Sequence, residues 1–442
     1  MVKKLFLSFS MLLLCLCGKS QGFNFSSVDS TLNANIGGVF HNKLVCAVLL
    51  NDSLIYYYHS GADSTTVGGI ASCTKTFSAA LMLRLVQEGT LSLDDSIAKY
   101  YPFATSLDKG SMTLRNLFAH VSGISGNTNY NGNAGINLQQ SADSILVNDA
   151  LIHTPIGTIF DYTGEDQQVA GAAAELASGV SWDSLFAAKI GAPLGLSNTN
   201  FFNTTPSNPR IAGGIRSNTI DMLKLGKFIL HNGKNEQGLQ VVDSTLMQEL
   251  WKDQTNHALQ VNSPYPYNPP NNNPYGADTI YYGVGTWLDI YNPTHQYQEQ
   301  ISADGAYGGI IWINRCTNMV GVFLTFLPST VVTTAPVEAY AMDILRNSVP
   351  FNCYNTTTGL NDIAGEDLSL LVYPNPVHQK FIAELPQNNF DLSVTNVTGQ
   401  KMCEIKNISN KAEIDLKGLV PGVYFVKATG QQGIFIRKII LE

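Results

Sequence analysis

Three Ser-x-x-Lys tetrads occur in the chain: Ser72–Lys75, Ser96–Lys99 and Ser106–Lys109. A serine three residues before a lysine puts a hydroxyl and an amine on one side of a helix, one turn apart. An uncharged amine there can take the serine proton and leave a nucleophile for an acyl carbon. The tetrad is short, so its surroundings decide. Ser96 lies in the polar stretch Ser92-Leu93-Asp94-Asp95-Ser96, ahead of Tyr100-Tyr101-Pro102, and Ser106 lies in a loop ending at Gly110. Ser72 alone opens a strongly apolar helix, and Gly68 and Gly69 just upstream let the backbone turn tightly. The first turn of that helix presents free N–H groups and the positive end of the dipole, which suit an oxyanion forming near Ser72. Burial of Lys75 in the same apolar setting lowers its pKa. Taken alone, the four residues also fit a plain helix cap at Ser72 and a solvated Lys75.

Other hydrolytic schemes lack their residues. The one G-x-S-x-G run, Gly18-Lys19-Ser20-Gln21-Gly22, directly follows the N-terminal apolar run and does not join a strand to a helix, so an α/β-hydrolase triad has no usable signature. There is no H-E-x-x-H and the 8 histidines are scattered, which argues against a zinc hydrolase; no metal and no cofactor are expected. The net charge is −8 and no Lys/Arg cluster is present, so a nucleic-acid surface is excluded.

The elements that must hold the tetrad read as α+β. Residues 25 to 37 form a short amphipathic helix with Ser27 as cap. Leu44–Leu50, Asn51-Asp52-Ser53 and Leu54–Tyr58 form a hairpin of buried strands. The nucleophile helix runs from about Thr74 to Glu88 and stops at Gly89. The chain is then mostly helical to about residue 255, with helices at Thr113–His120, Asp166–Ala177, Trp182–Ile190 and Asn218–His231. Strands return at Tyr282–Ile290, Gly309–Ile313 and Val320–Leu327, followed by a helix at Pro336–Arg346. Strands at both ends imply one sheet assembled from distant segments, with a helical insert. Residues 263 to 275, dominated by Pro, Asn and Tyr, are a loop: either a solvated excursion or an aromatic rim over a cleft.

At the N-terminus, Lys3 and Lys4 precede an apolar run from Leu5 to Cys17 and the small-x-small site Gly18-Lys19-Ser20, so residues 1–20 are expected to be a cleaved signal peptide. A lipid-anchored Cys17 is the alternative. No transmembrane segment is expected in the mature chain. Of 7 cysteines, Cys46, Cys73, Cys316, Cys353 and Cys403 remain after cleavage. Cys316 with Cys353 is the pairing offered, with plain buried thiols as the alternative. A linker at 354–369 leads into short alternating strands from 370 to 442, read as a small β-sandwich.

Ile70-Ala71-Ser72-Cys73-Thr74-Lys75-Thr76-Phe77 resembles the nucleophile helix of class C β-lactamases, DD-peptidases and family VIII esterases. Gly89-Thr90-Leu91-Ser92-Leu93-Asp94-Asp95, the stretch Thr113 to Gly123, and Ala212-Gly213-Gly214-Ile215-Arg216-Ser217 resemble further motifs of the family in its own order. The resemblance implies an antiparallel sheet flanked by helices plus a helical subdomain over residues 21–353. It also implies a tyrosine that shares proton transfer with Lys75, and Tyr162 in Phe160-Asp161-Tyr162-Thr163-Gly164 matches it, as a phenolate or as a hydrogen-bond relay. Gly164 replaces the family's amide-contacting asparagine, and Gln167 or Gln168 is offered in its place. Glu165 and Asp166 are read as first-turn helix charges, and His120 as a hydrogen-bonded structural residue. On the strand lining the cleft, Ala303 stands at the cationic position of Ser302-Ala303-Asp304-Gly305-Ala306, so nothing there pairs with a substrate carboxylate and Asp304 repels one. The N–H groups of Ser72 and Ala306 remain as an oxyanion hole.

Val372-Tyr373-Pro374-Asn375-Pro376, the stretch Asp415 to Lys427 and Ile436-Arg437-Lys438-Ile439 resemble type IX secretion sorting domains. That implies passage through the periplasm of a Gram-negative cell, with residues 370–442 engaging outer-membrane secretion machinery and the protein secreted or held at the cell surface. A carbohydrate-binding sandwich is the alternative for this region. The expected function is hydrolysis of a small-molecule ester, small amide or peptide-like substrate through an acyl-enzyme. A true β-lactamase or D-Ala-D-Ala carboxypeptidase, or a non-catalytic binding module on the same fold, are the rivals.

Overall fold

Strand β1 (Leu44–Leu50) is buried at every position, which requires cover on both of its faces. It lies inside an antiparallel sheet of seven strands. These are β1, β2 (Ser53–Ser60), β3 (Tyr281–Tyr282), β4 (Trp287–Asn292), β5 (Tyr297–Gly305), β6 (Gly309–Asn314) and β7 (Met319–Leu324), in the order β2-β1-β7-β6-β5-β4-β3. The computed structural model describes residues 23–202, 207–264, 281–327, 331–351, 353, 370–396, 400–430 and 433–442. The expected signal peptide, the linker and most of the Pro/Asn/Tyr loop lie outside these residues.

Alternation along the strands divides two cores. Ile310 and Trp312 of β6 face helices α1 (Ser26–Asn35) and α8 (Val331–Asn347), joining Val28, Leu32, Met342 and Leu345. Ile311 and Ile313 face the opposite way, into the core formed with α2 (Thr74–Gln87) and α7 (Thr219–Leu230), among Phe77, Leu81, Met222 and Leu225. The apolar runs in the sequence are thus strands covered on both sides, with side-chain period two. The hairpin departs from expectation. β2 is the outermost strand and largely exposed, with Tyr56 its one buried residue.

The helical insert contains α3 (Leu114–Phe118), α4 (Leu138–Asn148), α5 (Glu165–Ser178) and α6 (Trp182–Phe186). Capping boxes start α3 at Thr113 and α4 at Asn137, and Asn218 caps α7. Three expectations are corrected. Ser27 does not cap α1, which begins at Ser26 without a side-chain cap. The segment expected as Trp182–Ile190 is α6 followed by a wider π-turn at Ala187–Gly191. The expected strand Tyr282–Ile290 is split in two, because Gly285 turns with φ +76° against the carbonyl of Lys75, where a β-carbon would lie 2.7 Å from that oxygen.

The chain divides into two compact units, Met1–Thr356 and Thr357–Glu442. The second holds β8 (Leu371–Tyr373), β9 (Lys380–Asn396), β10 (Lys401–Asp415), β11 (Gly422–Gly430) and β12 (Gly433–Leu441), all antiparallel. The long β9–β10 ribbon shifts register repeatedly between Glu384 and Leu392. Such irregularities let a ribbon bend, and residues from both of its halves close on one core of Phe381, Leu392, Val394, Val426 and Ile439. Among the described residues no helix is long and apolar enough to cross a membrane.

Cys316 and Cys353 form a disulfide that ties the start of β7 to the segment after α8, across a sequence separation of 37. Cys46, Cys73 and Cys403 are free. Replacing both bridged cysteines by alanine is expected to lower the unfolding free energy by about 2–4 kcal/mol, checked by denaturant titration with and without reductant.

Candidate active site

Three distant segments converge on Ser72. Gly68 and Gly69 pair with Ser217 and Arg216, and Ile70 N donates to Ile215 O at 3.0 Å, fixing the chain just before the turn. Ser72 then sits in a 3₁₀ turn, Ala71–Cys73, that runs directly into α2. Ala71 has φ +44°, a left-handed conformation that alanine rarely adopts. The end of β5 comes so close that a β-carbon on Gly305 would lie 2.2 Å from Ile70 O. Cys73 Sγ clamps the same contact by donating to Ala303 O (3.1 Å) and Gly309 O (3.2 Å).

Lys75 is 3% exposed. Its Nζ donates to Ser72 Oγ and to Ala212 O, both at 3.1 Å, and lies 4.5 Å from the centre of the Tyr162 ring. Burial, reinforced by the Arg210 charge, brings the amine down to about 7, although Asp166 and Glu165 act in the opposite direction. The other two tetrads do not form such pairs. Lys99 reaches out to Asp95, while Lys109 is buried with its Nζ on the carbonyls of Leu146 and Asp149, and Ser106 Oγ donates to Phe103 O.

Tyr162 stands across the cleft, just after the short strand Ile159–Asp161. Its N–H donates to Asn262 O at 3.0 Å. Its ring stacks on Trp287 (centroids 5.2 Å, 18°) and against His120 (4.4 Å). Its hydroxyl interacts with the hydroxyls of Ser72 and Tyr282. Burial pushes the phenol up, with the Ser72 interaction only partly offsetting it. Of the two expected forms, the neutral phenol relay fits this environment and the phenolate does not.

Ser72, Tyr162 and Ala306 divide the cleft into two limbs. One, of about 330 Å³, is lined also by Lys75, Asn131, Gly164, Gln168, Arg210 and Tyr307. The other, of about 270 Å³, is lined also by Asn262, Pro264, Trp287, Asp304 and Gly305. Among the described residues the Ser72 and Ala306 N–H groups have no backbone acceptor, as an oxyanion hole requires.

The structure changes several expected roles. Ala303 is buried in the core and lines neither limb, because alternation along β5 turns it away from Asp304, which does. Gln168 reaches one limb, but both ends of its amide are engaged. Nε2 donates to Asn208 Oδ1 (2.8 Å) and Pro209 O (2.9 Å), while Oε1 accepts from Ile211 N (3.1 Å). It positions the 208–211 segment and does not replace the missing asparagine, and the fully buried Gln167 lines neither limb. Asn131 comes nearer to that place, its Nδ2 lying 3.1 Å from where a β-carbon on Gly164 would sit. Asp166 stands in the first turn of α5, as expected, but it is buried rather than exposed there. It is 1% exposed, accepts from Ser122 Oγ at 2.5 Å, and lies 3.1 Å from His120 Nδ1. Glu165 is likewise buried and accepts from Thr128 Oγ1 at 3.1 Å. Burial brings Asp166 up to about 8, and burial together with the Lys75 charge keeps His120 well below its usual range.

Asn131, Arg210, Tyr282 and Trp287 were not singled out by sequence reasoning. Arg210 could have been, since it stands two residues before the quoted Ala212-Gly213-Gly214. Asn131 lies in an irregular segment with no periodic signal, and Trp287 reads as an ordinary strand aromatic.

Residues 42–340 match the family described as Beta-lactamase. The chain belongs to the beta-lactamase family. This is a family of serine acyl-transferring hydrolases. Residues 371–442 match the Secretion system C-terminal sorting domain, a type IX module that implies a secreted or cell-surface protein. Penicillin-binding protein 4 of Amycolatopsis lactamdurans is 28% identical over 173 residues, 38% of this chain and 41% of that protein. The chain thus spans less than half the length of the curated relatives it matches. A beta-lactamase candidate from Bacteroides dorei DSM 17855 superposes with TM-score 0.64 at 25% identity, covering 73% of this chain and 99% of its own. EstCE1, a hydrolase with promiscuous acyltransferase activity, shares the fold with TM-score 0.58 at 16% identity, covering 72% of this chain and 98% of its own.

Asp166 gives the buried network a measurable signature. The native carboxyl keeps a proton that the unfolded chain has lost above about pH 4. The native state therefore binds more protons, and this group's contribution to stability falls as pH rises from about 4 to 8. Asp166→Asn is expected to be at least as stable as the wild type at pH 8, with the difference narrowing at pH 5. Asp166→Ala, which leaves Ser122 without its acceptor, is expected to cost about 1–3 kcal/mol. Denaturant midpoints at the two pH values check both.

Proposed function

We propose that this member of the family is an exported serine hydrolase that cleaves an ester or small amide through an acyl-enzyme. Ser72 is the nucleophile, and Lys75 with Tyr162 moves the proton. The supporting observation is the 3.1 Å bond between a buried amine brought down to about 7 and the Ser72 hydroxyl. An amine of that pKa is largely uncharged slightly above neutrality, so it can accept the serine proton as Oγ bonds to the acyl carbon. The negative charge then develops on the acyl oxygen, opposite the N–H groups of Ser72 and Ala306. Collapse of the adduct expels the alcohol or amine, which takes a proton from the Lys75–Tyr162 pair. Water, deprotonated by the same pair, releases the acid and restores Ser72. Ala303 and Gly164 provide neither a cation nor an amide at the positions where the family pattern has them, which favours esters and small amides over penicillins and D-Ala-D-Ala. The route to the cell exterior is through the periplasm, with residues 370–442 engaging the outer-membrane secretion machinery.

Two measurements test this. A fluorophosphonate should label wild-type protein at Ser72 and leave Ser72→Ala unlabelled. A chromogenic short-chain ester should be hydrolysed in preference to a chromogenic cephalosporin; the reverse preference would favour a β-lactamase, and neither labelling nor turnover would favour a binding module. The pH profile of kcat/KM should rise through an apparent pKa of about 7 and level above it, since only the deprotonated amine accepts the proton. Lys75→Arg, permanently charged, should lower kcat by about 10²–10⁴-fold.

A further inference from the structure

One wall of the cleft carries a cation for which the proton transfers above have no use. Arg210 lines the 330 Å³ limb beside Asn131 and Ser72, and its charge is near enough to help depress Lys75. Among the described residues its guanidinium has no ion-pair or hydrogen-bond partner, although its backbone is firmly held, with Arg210 O accepting from Gly213 N and Gly214 N. Gln168 bonds both Pro209 O and Ile211 N, the residues on either side. Asn208 Nδ2 donates to Tyr130 O (2.9 Å) and Asn133 O (3.1 Å). The aliphatic stem has a seat as well. Gly132, at φ +67°, lacks the β-carbon that would lie 2.4 Å from Arg210 Cγ, and one on Gly214 would lie 3.1 Å from Arg210 Cβ.

A second polar group in the same limb is unfilled. Asn131 Nδ2 occupies the space left open by Gly164 and can donate there, while its Oδ1, an acceptor that calls for a donor and not for a carboxylate, is buried without a protein partner. A guanidinium fork with an amide N–H beside it matches the geometry of a carboxylate. The opposite limb is lined by Asp304 and Trp287, so a negative group is repelled from one end of the cleft and attracted to the other.

We propose that the limb bounded by Arg210 and Asn131 binds a carboxylate of the substrate, so that the preferred acyl compounds are anionic. That the bound acid is then cleaved rests on the hydrolase reading of Ser72; the anion site does not.

Binding to Ser72→Ala protein separates the two. By calorimetry, glutaric acid monoanilide, with its carboxylate on the acyl side, is compared with uncharged valeranilide. In parallel, 4-acetamidobenzoate, with its carboxylate on the amine side, is compared with its methyl ester. At least one acid is expected to bind about tenfold or more tighter than its neutral counterpart. Arg210→Ala in the same background should erase that preference, and Arg210→Lys should keep part of it. Equal affinity within both pairs, or a preference that survives Arg210→Ala, overturns the inference. Anion-selective binding by a protein whose Ser72 takes no label and turns over no ester would uphold this site and overturn the hydrolase reading.

Discussion

An ammonium group withdrawn from water loses its hydration, and the cheapest response is to give up its proton. Lys75 is in that position. Its two close acceptors, a hydroxyl and a backbone carbonyl, are neutral, and no carboxylate forms an ion pair with it among the described residues. Had Asp166 or Glu165 come into direct contact, the amine would stay charged. Instead both carboxyls are buried with partners of their own, Ser122 and Thr128. Keeping the lysine dry and keeping the acids at a distance are the same structural requirement, and much of the helical insert serves it.

The close packing around the Ser72 turn follows from that requirement. A buried amine needs walls without gaps, and the walls here are backbone. Gly305 lets the end of β5 approach the turn, Gly285 lets the loop between β3 and β4 approach the Lys75 carbonyl, and Cys73 bonds two carbonyls of the sheet. The left-handed Ala71 is held in this setting by the pairing of the neighbouring residues with Ile215, Arg216 and Ser217. The aromatic cluster of His120, Phe160, Tyr162, Tyr282 and Trp287 closes the other side, setting the Tyr162 ring by stacking.

Polarity in the cleft is uneven. Beside the Ser72 hydroxyl stands an amine brought down to about 7, while the two limbs differ in the charged residue that lines them, with Arg210 on one and Asp304 on the other. Charged groups at a distance from the reacting atoms orient a ligand without having to change protonation. The absence of a cation at Ala303 therefore does not make the cleft uncharged; the positive group sits on the opposite wall, carried by an irregular segment.

The sequence by itself determined the turn that sets Ser72 beside Lys75, the α+β order of elements and the sorting module, because these rest on local signals: the spacing of Ser72 and Lys75, the apolar runs of β1, β6 and β7, and short motifs in order. It also pointed to Tyr162 and to the pairing of Cys316 with Cys353. Tertiary structure alone decided which side chains face the cleft. Alternation on β5 turned Ala303 inward, Gln168 spent its amide on the backbone of 208–211, and Asp166 was buried away from solvent. Arg210 and Asn131 meet through folding of segments far apart in the chain. The physical reason is that a hydrogen-bond partner or a burial state belongs to a pair of surfaces, and only the folded chain brings both surfaces into being.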